Sequence, residues 1–223
     1  MKQKRIYLTI DDSPSSNFKE KVDFLHERKI QAIFFCLGKL LKENEENVIY
    51  AIKRGFIMGN HSYNHPSFSK ISLDEAKNQI KMTDEIINSL YKKAGVKRIF
   101  NVFRFPHGDK GDKNKEAIQN FLKELNYKQP NFKGISYVYF SEFKLDKDLD
   151  VFWNFDFEEY SKGDWKSIIK KMNLKNPKLG GSLMNNKSSD IVLIHDHGDT
   201  TDLFFRIIEE LLNRKIIFEK YMK

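Results

Sequence analysis

Short runs of β-branched and aromatic residues alternate with amphipathic helical patterns along most of this 223-residue chain. Such alternation is typical of a parallel sheet whose strands are joined by crossover helices. The predicted strands are Ile6–Ile10, Ala32–Leu37, Phe56–Asn60, Phe100–Phe105, Val151–Phe155, Ile191–His195 and Ile216–Phe218. The predicted helices cover residues 18–29, 44–54, 72–93, 114–125, 165–173 and 202–214. The pattern fits either an open doubly wound sheet or an incomplete barrel, and periodicity does not separate the two.

The segment 72–93 gives the clearest helical signal. Ser72 is a predicted N-cap with Glu75 three residues later, apolar residues recur on one face, and Gly95 follows the end. A second segment, about 128–150, breaks the alternation. It contains Pro130, Gly134 and a run of aromatic residues, and we interpret it as an inserted excursion, with a hairpin as its expected form.

The length predicts a single domain covering residues 1–223. With Cys36 as the only cysteine, no intrachain disulfide can form, and its apolar surroundings predict an inert core thiol. The longest apolar runs are far too short for a membrane span, and the amino-terminal residues contain no secretion signal. The literal expectation is therefore a cytoplasmic protein.

Two short segments at predicted strand ends carry metal-ligand chemistry. Asp11 and Asp12 follow the first strand, and two adjacent carboxylates repel unless a cation holds them. His61 and His65 follow the third strand, and two imidazoles with one carboxylate leave an open position on Zn²⁺ for water. Each segment alone also fits an ordinary solvated loop.

Arg104 and His195 also lie at predicted strand ends. The carboxyl ends of parallel strands converge on one face, where active sites form in α/β folds. Four separate segments with that placement predict a mononuclear metallohydrolase: one carboxylate and two histidines hold the metal, a second carboxylate is the base, and a distant histidine is the acid.

In order along the chain, five segments resemble the motifs of the polysaccharide deacetylases with the NodB homology domain, carbohydrate esterase family 4. The segments are Thr9–Pro14, His61–His65, Arg104–Gly108, Asp164–Trp165 and Leu193–Asp196. The resemblance implies a distorted (β/α)₇ barrel, an incomplete TIM-like barrel, and hydrolytic removal of acetyl groups from acetylated sugars. It implies an acetylated polysaccharide or oligosaccharide as substrate, and Zn²⁺ as cofactor, with Co²⁺ or Ni²⁺ as alternatives.

The resemblance also implies a role for each matching residue. Asp12, His61 and His65 are the expected metal ligands, Asp11 is the expected general base, and Arg104 is expected to orient Asp11. Metal and base together would activate a water molecule at neutral pH.

A second set of expected roles concerns the leaving group and the acetyl group. His195 is expected to protonate the leaving amine and Asp164 to hold His195. Trp165 and Leu193 are expected to line the acetyl pocket, and the backbone N–H of His107 is expected to stabilise the oxyanion.

The chain departs from the family pattern at four places. Ser13 replaces a glycine, and His107 stands where tyrosine is usual. Asp156 precedes Asp164 by eight residues, a wider spacing than the compact fourth motif of the family. His197 has no assigned counterpart and is interpreted as a loop residue.

Two other functions stay open at this stage. One is a metal-dependent C–N hydrolase acting on a non-sugar amide. The other is a non-catalytic basic binding protein, because the net charge is +8. The basic residues are dispersed and form no recognisable nucleic-acid motif, so no nucleic-acid partner is expected. The aromatic residues of 128–150 either stack on sugar rings or cover an exposed side of the barrel or a dimer contact.

Overall fold

A parallel sheet forms the centre of the computed structural model, which describes residues 3–175, 177 and 180–222. Within these residues its strands are β1 (Arg5–Ser13), β2 (Ala32–Cys36), β3 (Ile57–Asn60), β4 (Phe155–Asp156), β5 (Asp190–His195) and β6 (Ile217–Phe218). The strand order is β3-β2-β1-β5-β4, and β6 pairs with the first residues of β1. All of these pairings are parallel, so the carboxyl ends of β1, β3 and β5 lie at the same edge of the sheet.

The connecting helices in the described residues are α1 (Phe18–Glu27), α2 (Gly38–Glu43), α3 (Glu45–Lys53), α4 (Leu73–Ala94), α5 (Lys115–Glu124), α6 (Val138–Glu142), α7 (Glu159–Lys162), α8 (Trp165–Met172) and α9 (Thr201–Asn213). The six predicted helices form within two residues of their expected ends. The three short helices α2, α6 and α7 were not predicted, because four to six residues are too few to display helical periodicity.

The long helix α4 begins and ends as its sequence predicts. The Oγ atom of Ser72 accepts a hydrogen bond from the backbone N–H of Glu75 at 3.1 Å. Gly95 closes the helix with a φ of 68°, a left-handed conformation that glycine adopts without steric cost.

The sheet is buried on both faces, as expected for parallel strands. Ile6, Leu8 and Ile10 of β1 pack into a cluster with the covering helices, whereas Tyr7 faces a second cluster on the inner side. Cys36 belongs to the first cluster, and burial raises the pKa of its thiol well above the usual value, which fits the predicted inert role.

The predicted strand Phe100–Phe105 is wrong. In this segment only Phe103 forms a bridge, to Asn60, although Phe103 and its neighbours are buried as the apolar pattern requires. On its other side the segment meets single hydrogen bonds from Lys128 and Val151 rather than a continuous strand, so no ladder can extend there. Of the predicted strand Val151–Phe155, only Phe155 lies in a strand, the two-residue β4.

The segment 128–150 folds over the inner face of the sheet, and its ordered element is α6 rather than a hairpin. Phe140 and Leu145 pack into the inner cluster with Tyr7. The backbone of Gly134 accepts a hydrogen bond from the N–H of Ser189 at 2.7 Å. Phe140 therefore covers the inner face of the sheet, whereas Phe143 of the same segment is exposed.

The parallel sheet, its covering helices and the open side where β4 is short define a distorted barrel, as predicted. No helix in the described part of the chain combines the length and the apolar character needed to span a membrane.

Candidate metal and catalytic site

A cavity of about 330 Å³ lies at the carboxyl edge of the sheet. It is lined by residues from each of the four segments that the sequence singled out, although Arg104 itself is not among them. Its lining residues are Asp11, Asp12, His61, His65, His107, Trp153, Asp156, Tyr160, Leu193, His195 and His197. The sheet register explains part of this convergence, because Asp11 of β1 pairs directly with His195 of β5.

An irregularity at the end of β1 lets two adjacent carboxylates share the cavity. Successive residues of a regular strand point to opposite faces. The register between β1 and β2 shifts after Ile10, and Asp12 has a φ of 62°. As a result Asp11 Oδ2 and Asp12 Oδ1 lie 3.5 and 3.7 Å from the same atom, Nε2 of His61.

Asp12, His61 and His65 can each offer one ligand atom, and these atoms lie within 4.8 Å of one another. Asp12 Oδ1 is 3.3 Å from Nε2 of His65. It is also buried and has no hydrogen-bond partner among the described residues, a costly state for a carboxylate oxygen without a cation. The set of two imidazoles and one carboxylate fits a divalent transition metal.

The tautomer of His61 suits metal binding. Its Nδ1 lies 2.8 Å from the backbone carbonyl oxygen of Arg104, which can only accept a hydrogen bond. Nδ1 therefore carries the proton, and the lone pair of Nε2 faces the two aspartates.

The protonation states of the other two candidate ligands also suit a cation. Burial, and to a lesser extent the neighbouring His61, lower the pKa of His65 to about 4, so its imidazole is neutral at pH 7. Burial raises the pKa of Asp12, but the hydrogen bond from His197 and the coulombic interactions with the neighbouring imidazoles outweigh this effect, and the pKa is lowered overall. Asp12 is therefore ionised.

Arg104 is hydrogen bonded to Asp11, the residue that it is expected to orient. Its buried guanidinium donates from Nη1 to Asp11 Oδ1 at 2.7 Å and to Thr9 Oγ1 at 2.8 Å. Its Nε donates to the carbonyl oxygen of Val151 at 2.9 Å, and its guanidinium carbon lies 4.3 Å from the ring centre of Phe35. This arrangement leaves Asp11 Oδ2 directed towards His61.

The role expected of Asp164 is wrong. Asp164 is the N-cap of α8, where its Oδ1 accepts a hydrogen bond from the N–H of Ser167 at 2.9 Å. The partner of His195 is Glu159, which is fully buried. Glu159 Oε1 accepts from the His195 backbone N–H at 2.6 Å and lies 3.0 Å from its Nδ1.

A compact signal for Glu159 is present in the sequence. Glu159 follows Asp156 by three residues and precedes the aromatic Tyr160, whose ring centre is 4.5 Å from that of His195. The dipeptide Asp164–Trp165 matches the family pattern by residue type, but it lies five residues after Glu159, the residue that contacts His195. There an Asp before an apolar helix serves as a helix cap.

The environment of His195 favours its protonated form. Burial lowers its pKa, but the hydrogen bond and negative charge of Glu159 raise it more, and the pKa reaches about 9. Asp156, Glu159 and His195 form a second group with closely spaced donor atoms. Nδ1 of His195 is already hydrogen bonded to Glu159 in this second group. The second group is therefore less suited to a metal than the group of Asp12, His61 and His65, which is called the Asp12 group below.

The residues expected around the acetyl group are only partly brought together. Leu193 and His107 line the cavity. Trp165 does not: it packs on the helix-covered core, with the guanidinium of Arg206 4.3 Å from its ring centre. The indole in the cavity is that of Trp153, which stacks on Phe152 with ring centres 4.5 Å apart.

His197, interpreted from sequence as a loop residue, contacts a candidate metal ligand. Its Nε2 lies 3.0 Å from Asp12 Oδ2. Sequence patterns gave no signal for this contact, because it joins residues 185 positions apart.

A family model described as "Polysaccharide deacetylase" matches residues 1–130. The chain is 41% identical over 123 residues to a peptidoglycan-N-acetylglucosamine deacetylase of Bacillus cereus, an alignment that covers 53% of this chain and 39% of the relative. The chain thus spans about two fifths of the length of that relative.

Two solved structures share the fold. A family 4 carbohydrate esterase from Streptomyces lividans, solved in complex with acetate, superposes with a TM-score of 0.67 at 19% identity, covering 97% of this chain and 92% of that one. BA3943 from Bacillus anthracis, described as a family 4 pseudoenzyme, gives 0.68 at 18% identity, covering 97% and 63%.

The chain forms an α/β barrel with a parallel sheet. At the carboxyl edge of its strands lies a group of side chains that could hold a metal ion. The chain belongs to the polysaccharide deacetylase family, which confirms the resemblance drawn from its motifs.

Proposed function

We propose that this chain is a hydrolase dependent on a divalent metal, which removes N-acetyl groups from an acetylated glycan and releases acetate. One observation carries the proposal. The donor group Asp12, His61 and His65 lies in the same cavity as the Arg104-bound Asp11 and the protonated His195. The similarity to the peptidoglycan-N-acetylglucosamine deacetylase of Bacillus cereus supports a peptidoglycan-like substrate.

Asp12, His61 and His65 would hold the metal. The unpaired buried oxygen of Asp12 and the free lone pair of His61 Nε2 support this assignment. Two nitrogen donors and one oxygen donor favour Zn²⁺, with Co²⁺ and Ni²⁺ as alternatives. When bound, such an ion supplies Lewis acidity for an amide carbonyl and lowers the pKa of water.

Asp11 is the proposed general base. Its Oδ2 is the oxygen closer to the donor group, 3.5 Å from Nε2 of His61. Arg104 keeps the other oxygen in a hydrogen bond and thereby fixes the direction in which Asp11 can accept a proton. The buried guanidinium also keeps the carboxylate from turning away between turnovers.

His195 is the proposed general acid. With its pKa raised to about 9, His195 carries a proton at neutral pH, and Glu159 occupies Nδ1. Nε2 is therefore the nitrogen that can donate to the departing amine of the sugar. Glu159 acts as a positioning residue, since it sets both the ring orientation and the charge of His195.

The remaining cavity residues would receive the acetyl group. Leu193 and Trp153 supply an apolar wall for its methyl group, and the cavity of about 330 Å³ has room for an acetyl group. The backbone N–H of His107, on the tight turn after Pro106, is the proposed donor to the oxyanion.

Metal analysis combined with acetate release tests the proposal. The purified chain should contain about one equivalent of Zn²⁺, Co²⁺ or Ni²⁺ after loading and should release acetate from chitooligosaccharides or peptidoglycan. A bound metal without acetate release from either glycan would favour a hydrolase of non-sugar amides. Absence of both metal and hydrolysis would favour a non-catalytic binding protein instead.

A further inference from the structure

The two carboxylate oxygens of Asp12 face different partners. Oδ1 lies 3.3 Å from Nε2 of His65 and 3.7 Å from Nε2 of His61, and it has no hydrogen-bond partner in the described part of the chain. Oδ2 lies 3.0 Å from Nε2 of His197. One oxygen is thus directed at the nitrogen donors, while the other is already in a hydrogen bond.

The direction of this hydrogen bond follows from the chemistry of the two groups. An ionised carboxylate only accepts, so Nε2 of His197 must carry the proton and donate. A donor to one oxygen restrains rotation of the carboxylate and favours binding of a cation through the other oxygen alone. Single-oxygen binding is what a four-coordinate site with two histidines and one free position requires.

A buried ion pair fixes the backbone from which His197 projects. Lys21 of α1 is fully buried and donates to Asp196 Oδ1 at 2.6 Å and to the carbonyl oxygen of His197 at 2.9 Å. Asp196 also accepts from the N–H and the Oγ of Ser15, at 2.9 and 2.6 Å. The loop after β5 is therefore tied to the loop after β1, which carries Asp12.

We propose that His197 is a positioning residue of the metal site: it holds Oδ2 of Asp12, so that Oδ1 alone joins His61 and His65 as a ligand. The inference rests on the proposed function to the extent that the Asp12 group binds a divalent cation. It adds a residue that the family motifs of this chain do not include.

The test measures Zn²⁺ affinity of the full chain by competition with a chromophoric chelator, a readout independent of hydrolysis. His197→Ala should weaken Zn²⁺ binding about 10- to 100-fold. His197→Gln carries an amide N–H where Nε2 stood and should stay within about threefold of the unaltered chain. His26→Ala, at an exposed position on α1, is the matched control and should leave the affinity unchanged.

The visible spectrum of the Co²⁺-loaded chain separates a positioning residue from a ligand. Because His197 touches Asp12 rather than the cation, the spectrum of His197→Gln should match that of the unaltered chain. Equal Zn²⁺ affinity in His197→Ala and the unaltered chain would overturn the proposal. So would equal weakening in both His197 variants with an altered Co²⁺ spectrum, which would make His197 a ligand.

The Zn²⁺ titration also distinguishes a failure of this inference from a failure of the proposed function. If the unaltered chain binds no divalent metal, the proposed function is overturned and this inference with it. If the chain binds metal but releases no acetate, the choice of reaction alone is wrong, and the affinities of the His197 variants still decide the role of His197.

Discussion

The two sides of the cavity are built on different kinds of backbone. The Asp12, His61 and His65 side follows β1 and β3, strands of nine and four residues that pair with β2 between them. The Glu159 side follows β4, which has two residues and, within the described part of the chain, pairs with β5 alone. Long paired strands fix where their end residues lie, whereas the Glu159 side depends on short helices and side-chain contacts.

The two sides of the cavity also shift the pKa values of their histidines in opposite directions. Around Asp12, burial and the neighbouring His61 keep the pKa of His65 low, so that His65 supplies a neutral nitrogen. Around His195 a single buried carboxylate has the opposite effect and raises the pKa of the imidazole to about 9. One cavity thus holds histidines suited to metal binding and a histidine suited to donating a proton.

The largest effects are expected on the strand-supported side. Asp11→Asn should reduce kcat about 10²- to 10⁴-fold, because it removes the proposed base, while bound metal remains near one equivalent. His61→Ala should abolish both metal binding and activity, because one of three ligands is lost. Metal content and acetate release are measured on the same preparations.

Asp11→Asn tests the proposed base, and His61→Ala tests the proposed metal ligand. If Asp11→Asn retains most of the rate, Asp11 is not the base. If His61→Ala still binds metal as tightly as the unaltered chain, the Asp12 group is not the metal site.

A smaller but sharper effect is expected on the Glu159 side. Glu159→Gln should lower kcat about 10- to 100-fold without loss of metal, because His195 loses its charged partner. Asp164→Asn should leave kcat unchanged, since asparagine caps a helix as well as aspartate does. Loss of activity in Asp164→Asn with an unaffected Glu159→Gln would restore the interpretation made from sequence.

The pH dependence tests the same pair through its charge. The proposed acid works in its protonated form, so kcat should fall as the pH rises through the His195 pKa of about 9. Without the negative charge of Glu159 this pKa falls, and in Glu159→Gln the decline should begin at a lower pH. An alkaline limb at the same pH in both proteins would show that another group controls it.

The folding equilibrium carries a related signature. His195 has a folded-state pKa above its ordinary value of 6.5, so its interaction with Glu159 stabilises the fold fully below about pH 6.5. That contribution is lost as the pH rises through about 9. The difference in Tm between the unaltered chain and Glu159→Gln should therefore shrink across this interval.

The contrast between the two sides also explains how far sequence reasoning reached. Asp12 and His61 could be placed because they lie at the ends of the buried strands β1 and β3, and Arg104 because its buried segment is bridged to the end of β3. Glu159 follows only the two-residue β4, and the helix cap at Asp164 offers another carboxylate in a more familiar dipeptide. His197 could not be found at all, since its contact depends on the buried Lys21–Asp196 pair joining two loops.

The fold shows the same division. Apart from the short helix α2, the described strands and helices up to residue 94 form nearly where periodicity places them. Between 100 and 156 the apolar pattern correctly indicates burial, but burial here comes from packing against the inner face, not from strand pairing. A run such as Phe100–Phe105 gives the same pattern in both cases, so the sequence alone does not distinguish them.

The smallest expected effect separates two tryptophans, one on each kind of surface. Trp153→Leu should lower kcat/KM about tenfold on the acetylated glycan, because the indole lines the cavity beside Arg104, with metal content unchanged. Trp165→Leu should leave kcat/KM unchanged and lower the free energy of unfolding by about 1–2 kcal/mol, because Trp165 packs on the core under Arg206. Acetate release and chemical denaturation measure the two quantities. The reverse assignment, with Trp165→Leu affecting kcat/KM and Trp153→Leu affecting only stability, would show that α8 rather than the segment before β4 supplies the wall of the acetyl pocket.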